Sequence, residues 1–91
     1  MAEFEWDAEK DAQNVVKHGI SFDEAATIFD GDYVSIEDEG PYDEQREKTY
    51  GLIRGVVVVC VAHTDREGRV RIIGARRATR AEREMYNAHL R

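Results

Sequence analysis

Seven arginines lie within 18 residues of the C-terminal half, and no lysine lies among them. They are Arg66, Arg69, Arg71, Arg76, Arg77, Arg80 and Arg83. A guanidinium group presents planar, forked donors that match two phosphate oxygens at once, so a cluster made only of arginine favours phosphate contact. The alternative is a solvated strand end and helix start whose arginines pair with Glu82 and Glu84. Tyr86 follows in the same segment and is either a stacking platform for a nucleobase or a core residue.

Two smaller groups of residues could also serve phosphate chemistry. Lys17 and His18 precede Gly19, and histidine is the usual acid or base near neutral pH. A helix C-terminus also favours positive charge, so a capping role alone could explain both side chains, and from position alone it explains His18 better than catalysis does. Glu44 is a candidate base and Arg46 a candidate phosphate clamp. From spacing alone, both are better explained as solvated charge before a strand.

The net charge of -6 conceals an asymmetry between the two halves of the chain. Residues 1–45 carry a net charge of -12, and residues 46–91 carry +6. If the halves separate in space, one face of the protein is basic and attracts phosphates. The alternative is that the halves neutralise each other within the fold. The 91 residues predict a single domain with a modest core, residues 1–91.

Composition excludes several classes of protein. Cys60 is the only cysteine, so no internal disulfide forms and we expect a buried, reduced thiol. The longest apolar run, Val56–Ala62, is too short to cross a bilayer, and residues 1–10 lack the apolar stretch of a signal peptide. We therefore expect a cytoplasmic protein that does not contact a membrane. The acidic run at residues 37–44 lacks a recognised cation-binding loop, and we expect no metal and no cofactor.

Hydrophobic periodicity predicts an α+β fold. The predicted order is two N-terminal helices, an antiparallel sheet of about four mostly hairpin-linked strands, and a C-terminal helix. The helices are expected on one side of the sheet, with the other face free. The predicted elements are an edge strand or anchoring segment at 4–6, helices at 8–17 and 21–31, strands at 33–36, 48–53, 56–63 and 70–76, and a helix after 79. Turns are expected at 54–55 and 65–69.

Cap residues and burial patterns sharpen these predictions. The predicted helix N-caps are Asp7, Ser21 and Thr79, the last two with a capping-box glutamate three residues later. The predicted apolar face of the first helix is Ala8, Ala12, Val15 and Val16, and that of the second is Phe22, Ala25, Ala26 and Phe29. Alternation along the last strand predicts Gly74 and Arg76 on one face and Arg71 on the other. Gly74 would leave room for a nucleotide beside Arg76.

Four motifs in register resemble the BrnT family of toxins. They are Phe4-Glu5-Trp6-Asp7 with Lys10, Asn14 and Lys17-His18-Gly19; Phe22-Asp23-Glu24-Ala25 with Phe29; Glu44-Gln45-Arg46 with Gly51; and Arg71 to Thr79 with Glu82, Arg83 and Tyr86. They span nearly the whole chain in order and at the expected distances. One departure is Gly74, where the resemblance predicts serine, and any role of that hydroxyl in binding substrate is therefore in doubt.

The resemblance implies a RelE-like fold and a toxin that inhibits translation by cleaving RNA without a metal ion. In that reaction the RNA 2′-hydroxyl attacks the adjacent phosphorus, which requires a base, an acid and cations. We assign Arg76 and Arg46 to the developing charge and His18 to the acid or base. Lys17 and Glu44 are assigned in support. The RNA-binding candidates are Arg71, Arg77, Arg80, Arg83 and Tyr86.

The resemblance also implies a partner, a BrnA-like ribbon-helix-helix antitoxin that neutralises the toxin. Operator DNA would be contacted only through this antitoxin. Two other classes of protein stay open from the residues alone. One is a non-catalytic module whose basic half binds nucleic acid or an acidic partner. The other is a structural subunit whose basic face is neutralised by an acidic partner.

Overall fold

The structure is a computed structural model that describes residues 3–90, which form three α-helices and a five-stranded sheet. The elements are β1 (Glu3–Glu5), α1 (Ala8–His18), α2 (Phe22–Ala26), a 3₁₀ segment (Thr27–Asp30), β2 (Val34–Asp38), β3 (Arg46–Ile53), β4 (Val57–Arg66), β5 (Arg69–Arg77) and α3 (Arg80–His89). The strand order is β1-β5-β4-β3-β2, antiparallel except where β1 pairs with β5. The α+β class is confirmed, with one strand more than the four expected. None of the helices in residues 3–90 is long and apolar enough to cross a membrane.

Two tight turns set the register of the central strands. Arg54, Gly55 and Val56 join β3 to β4, and Glu67 and Gly68 join β4 to β5. In each connection the first two residues have positive φ, between 54° and 82°, which is typical of tight hairpin turns whose twist matches the strands. Both turns and the central position of β4 confirm the sequence predictions.

Side-chain caps fix the ends of α1 and α3 as predicted. The Asp7 carboxylate accepts hydrogen bonds from the first-turn amides of α1 at 2.9 and 3.0 Å. Gly19 ends that helix with a φ of 71°. Thr79 and Glu82 form a complete capping box at the start of α3. These helix ends are therefore set by contacts between residues that are close together in the sequence.

The capping box predicted at the start of α2 is only half formed. The Ser21 hydroxyl accepts a hydrogen bond from the Glu24 amide at 3.0 Å. The Glu24 carboxylate does not return to the Ser21 backbone but binds the Arg54 guanidinium at 2.7 and 2.9 Å. This charged contact links α2 to the β3–β4 turn, and α2 continues directly into the 3₁₀ segment.

The two faces of the sheet pack against different helices. We call the covered face the one that packs against α2 and the 3₁₀ segment; its buried residues are Ile53, Val59, Val61, Ile72 and Ala75, against Ile20, Phe22, Ala25 and Ile28. The opposite face, which we call the open face, packs at one end only against α3. There, Tyr86 and Ala78 contact Tyr50, Val58 and Cys60. The prediction that all helices lie on one side is therefore wrong, because α3 returns across the other side.

The predicted apolar face of α1 is also wrong. Val15 is 45% exposed and Val16 is 89% exposed, whereas Asn14 is buried. The Asn14 amide donates to the Ala75 carbonyl at 2.9 Å and to the Ile20 carbonyl at 2.8 Å, and its oxygen accepts from the Ala75 amide at 3.2 Å. β1 pairs only with residues 69–71, so the rest of this edge of β5 needs other partners. Hydrogen bonding, not apolar burial, therefore orients α1.

Gly51 allows the 3₁₀ segment to approach β3. A Cβ atom at Gly51 would lie 2.7 Å from the Cβ of Ile28, well inside van der Waals contact. Ile28 is itself buried in the core of the covered face. The glycine in the central motif is therefore required by close packing.

Candidate functional site on the open face

A β-bulge decides which arginines share a face. The pairing of β4 with β5 shifts by one residue between Ala62 and His63, and Ile73 is the extra residue in β5. A bulge interrupts the strict alternation of side chains. As a result Arg71 lies on the same face as Arg76. The prediction that these two arginines lie on opposite faces is therefore wrong.

The strand register places three rows of side chains on the open face. Across β3, β4 and β5 they are Arg46–Thr64–Arg71, Lys48–Ala62–Gly74 and Tyr50–Cys60–Arg76. Neighbours within a row lie about 5 Å apart, and adjacent rows lie about 7 Å apart. We call this surface the basic depression: a floor of Ala62 and Gly74, bordered by Arg46, Lys48, Arg71 and Arg76. The depression is available because α3 covers only the opposite end of the face.

A cavity of about 160 Å³ opens over this floor. Lys48, Gly74 and Arg76 line it from the sheet, and His18 lines it from the end of α1. His18 reaches the cavity because Asn14, which also lines it, binds α1 to the edge of β5. The structure therefore brings together Arg76 and His18, which are 58 positions apart in the sequence.

Lys17 and Arg46 lie at the borders of this cavity. Lys17 lines a neighbouring depression of about 270 Å³ that it shares with His18 and Lys10. Arg46 lies one row beyond Lys48, and its guanidinium carbon is 4.0 Å from the centre of the Tyr42 ring. This distance allows a cation–π contact. Both residues therefore lie outside the lining of the cavity itself.

Glu82 holds Arg76 at the wall of the cavity. Its two carboxylate oxygens accept hydrogen bonds from the Arg76 guanidinium at 2.8 and 3.1 Å. The same carboxylate accepts from the Tyr50 hydroxyl at 2.7 Å and from the Thr79 amide at 2.8 Å. The residue that caps α3 therefore also fixes the direction of Arg76.

The ionisation of this group follows from its contacts. The Arg76 guanidinium holds the pKa of Glu82 well below its usual range, and Glu82 in turn raises the pKa of Arg76. Burial, together with the hydrogen bond to Glu82, raises the pKa of Tyr50. Burial also raises the pKa of the Cys60 thiol, which is the buried, free cysteine predicted. At neutral pH Glu82 and Arg76 are therefore charged, and the Tyr50 hydroxyl and the Cys60 thiol are protonated.

Several arginines pair with carboxylates of the acidic half. Arg71 binds Glu5 at 2.7 Å, and Arg69 binds Glu3 at 3.2 Å. The two halves of the chain therefore partly neutralise each other, as the alternative interpretation held. Within residues 3–90, Lys48 makes no such ion pair.

Glu44 is not brought into the cavity. Its carboxylate binds Arg66 at 2.7 Å, and this contact lowers the pKa of Glu44. It lines a separate acidic depression with Glu47 and Asp65. Within residues 3–90, no group of three His, Cys, Asp or Glu side chains is arranged to hold a metal ion.

The remaining RNA-binding candidates divide into two groups. Arg77, Arg80 and Arg83 are exposed on the segment from the end of β5 into α3. Tyr86 is only 2% exposed, and its hydroxyl donates to the Asp32 carbonyl at 2.8 Å. The structure therefore places Tyr86 in the core, where its ring cannot stack on a nucleobase.

Sequence reasoning missed two residues that build the cavity. The sequence predicts Lys48 only as the first residue of a strand. Its spacing of two from Arg46 nevertheless places both side chains on one face of that strand. Asn14 was noticed only within the first motif. No periodicity signal identifies it, because its role depends on the unpaired edge of a strand 61 residues away.

Comparison with known proteins identifies the family. A family model described as "Ribonuclease toxin, BrnT, of type II toxin-antitoxin system" matches residues 6–82. The chain belongs to the BrnT family. The resemblance read from the four motifs is thus confirmed. As a BrnT ribonuclease toxin of a type II toxin–antitoxin system, the protein has an RNA-cleaving activity and an antitoxin partner.

A solved structure shares the BrnT fold with this chain. The crystal structure of the Brucella abortus ribonuclease toxin, BrnT, matches with a TM-score of 0.66 and 19% sequence identity. The match covers 88% of this chain and 100% of the other. At this identity the likeness establishes the fold alone. No curated protein sequence matches the chain.

Proposed function

We propose that this toxin is an endoribonuclease that cleaves RNA by attack of the 2′-hydroxyl on the adjacent phosphorus, without a metal ion, and thereby inhibits translation. The proposal depends on one observation: Arg76 and His18 line the same cavity on the open face. RNA supplies its own nucleophile, so the protein needs only a proton acceptor, a proton donor and fixed positive charge. In the cavity His18 can serve as the proton acceptor and Arg76 as the fixed positive charge, and water can serve as the proton donor.

The reaction exchanges one phosphorus–oxygen bond for another. The 2′-oxygen bonds to phosphorus, the bond to the 5′-oxygen breaks, and the products are a 2′,3′-cyclic phosphate and a 5′-hydroxyl. His18 removes the proton from the 2′-hydroxyl, and water protonates the leaving oxygen. Arg76, held by Glu82, donates to the phosphate oxygens on which negative charge accumulates.

The outlying cations bind the rest of the RNA strand in this proposal. Arg46 and Arg71, at the far end of the basic depression, stabilise charge and contact a flanking phosphate. Lys17 supports His18 from the neighbouring depression. Arg80 and Arg83 extend the basic surface along α3, whereas Arg77, which pairs with Val59 in the register, lies on the covered side of the sheet. Glu44 supports the site only through its contact with Arg66.

The partner and the setting follow from the family resemblance. We propose that the antitoxin is a BrnA-like ribbon-helix-helix protein, that operator DNA is bound only through it, and that the pair acts in the cytoplasm. The RelE-like classification of the fold belongs to the same proposal. A complex of the two purified proteins that still cleaves RNA would contradict neutralisation by this antitoxin.

Cleavage of a short labelled RNA by the purified protein in excess chelator tests the proposed reaction. The wild type should release fragments that end in a 2′,3′-cyclic phosphate. Arg76→Ala should cleave at least about 100-fold more slowly, because a fixed donor to the developing charge is lost. Arg54→Gln removes an exposed cation from the distant β3–β4 turn and should cleave like the wild type.

Three results would contradict the proposal. They are full cleavage by Arg76→Ala, cleavage that stops in chelator and returns with added metal, and RNA that is bound but left intact over hours. The last result would favour the non-catalytic binding module. Thermal unfolding of each variant controls for loss of the fold.

A further inference from the structure

Lys48 is the cation nearest the floor of the basic depression. It shares a row with Ala62 and Gly74, whose small side chains leave the floor without a functional group. It lines the cavity opposite Arg76 and His18. Within residues 3–90, its ammonium group makes no ion pair. Its charge is therefore not committed to a structural contact.

Two arginines of the open face are compensated, whereas Arg46 makes no ion pair within residues 3–90 but lies one row farther from Gly74 than Lys48 does. Arg76 is paired with Glu82 and Arg71 with Glu5, and each pair is neutral as a unit. The field of such a pair falls off faster with distance than the field of a single charge. Of the lysines and arginines within residues 3–90 that line the cavity, Lys48 is therefore the one whose charge is not compensated by a carboxylate.

The shape of the floor allows the Lys48 side chain to reach a bound group. A Cβ atom at Gly74 would meet nothing within 4 Å, so the space above β5 is open. Lys48 and Gly74 are separated by two strand spacings, about 10 Å. A phosphodiester seated over Gly74 would lie between the flexible ammonium of Lys48 and the fixed guanidinium of Arg76.

We propose that Lys48 is a further catalytic residue, which together with Arg76 binds one phosphodiester over Gly74 and stabilises the charge that its non-bridging oxygens gain during cleavage. The inference rests on the proposed ribonuclease reaction. The phosphate carries one negative charge before attack and two in the pentacovalent state. An uncompensated cation in a partly enclosed cavity therefore stabilises the second state more than the first. This predicts an effect on the cleavage rate as well as on RNA binding.

Single-turnover cleavage by three variants tests this proposal. Lys48→Met keeps the length of the side chain but removes its charge, and the rate at saturating RNA should fall about 100-fold. Lys48→Arg keeps the charge and should lose no more than about tenfold, since its fork differs from an ammonium in geometry. Arg54→Gln serves as the control for a lost surface cation. RNA affinity and the unfolding midpoint are measured for every variant.

The outcomes separate this proposal from the one on which it rests. If the wild type cleaves and Lys48→Met cleaves equally fast at saturating RNA, Lys48 is not catalytic, and the proposed function stands. An affinity loss without a change in the saturated rate would reduce Lys48 to a binding residue and equally overturn the proposal. A wild type that does not cleave RNA would contradict both.

Discussion

The two faces of the sheet come from the same strands but differ in what their side chains do. On the covered face, residues such as Val59, Val61 and Phe22 are fully buried in apolar packing. On the open face, the small residues Ala62 and Gly74 lie among cations. One face therefore supplies most of the burial that stabilises the fold, and the other leaves charged groups at a cavity.

Two arginines of the open face are held in place from outside the three central strands. Glu5 of β1 holds Arg71, and Glu82 of α3 holds Arg76. In a small domain, stability and function are thus separated by face, and the charged partners come from the flanking elements. This arrangement predicts that substitutions of residues that join the flanking elements to the sheet change both the free energy of unfolding and the rate of RNA cleavage.

Asn14→Ala should have the largest effect on stability. It removes three hydrogen bonds and leaves the Ala75 backbone without its partner, at a cost of about 2–3 kcal/mol in the free energy of unfolding. Cleavage should fall as well, because α1 carries His18. Urea unfolding measures the first effect, and loss of hydrogen-exchange protection at the Ala75 amide locates it.

Val16→Ala is the matched control for Asn14→Ala on the same helix. Val16 is 89% exposed, so its loss should change the free energy of unfolding by less than about 0.5 kcal/mol. If both variants are equally stable, hydrogen bonding does not anchor α1.

Glu82→Gln should have a smaller effect. Glutamine preserves the capping box, but the charged contact with Arg76 is lost. Arg76 is partly exposed and its pair is screened by solvent, so we expect a loss of about 1 kcal/mol at pH 7. The pKa of Glu82 is lower in the folded state than its ordinary value of 4.5, so the stabilisation is complete above pH 4.5 and is lost as the pH falls through the lower folded value.

Unfolding of wild type and Glu82→Gln at pH 7 and pH 3 checks this sign. The difference in stability between the two proteins should shrink at pH 3. Glu84→Gln is the control, since Glu84 forms only an exposed pair with Arg80. A difference that stays the same at pH 3 would show that Glu82 does not act through its charge.

Local signals predicted the parts of the fold that depend on a few neighbouring residues. Gly19 ends a helix, and the Arg54–Gly55 and Glu67–Gly68 turns have the backbone that their composition indicates. The central place of β4 followed from its run of valines. Long-range features were not predictable in this way, because the parallel pairing of β1 and the crossing of α3 depend on contacts distant in sequence.

The candidate site was likewise predictable only in part from local sequence. Residue type and the family resemblance pointed to Arg76 and His18, and these two residues line the same cavity. The bulge at Ile73 has no signature in the alternation pattern, so the face of Arg71 was mispredicted. Lys48 was missed because its importance comes from the neutralisation of its neighbours, which is visible only in three dimensions.

His63 and Thr49 are polar residues buried on the covered face, and His63 makes the stability of that face depend on pH. It is buried beside the Phe29 ring, and its Nε2 lies 2.6 Å from the Thr49 hydroxyl. Burial lowers the pKa of His63 below 6.5, although Glu47 partly opposes the shift.

This lower pKa makes the stability of the protein depend on pH. Below pH 6.5 the His63 side chain binds a proton in the unfolded chain but stays neutral in the folded chain, so the free energy of unfolding falls as the pH drops towards the lower folded pKa. We therefore expect the free energy of unfolding of the wild type to fall between pH 7.5 and 5.5. In His63→Gln, which retains hydrogen-bonding capacity, unfolding should not show this loss. An equal loss in the variant would assign the pH dependence to the surface charges, and the covered face would then be stabilised independently of pH.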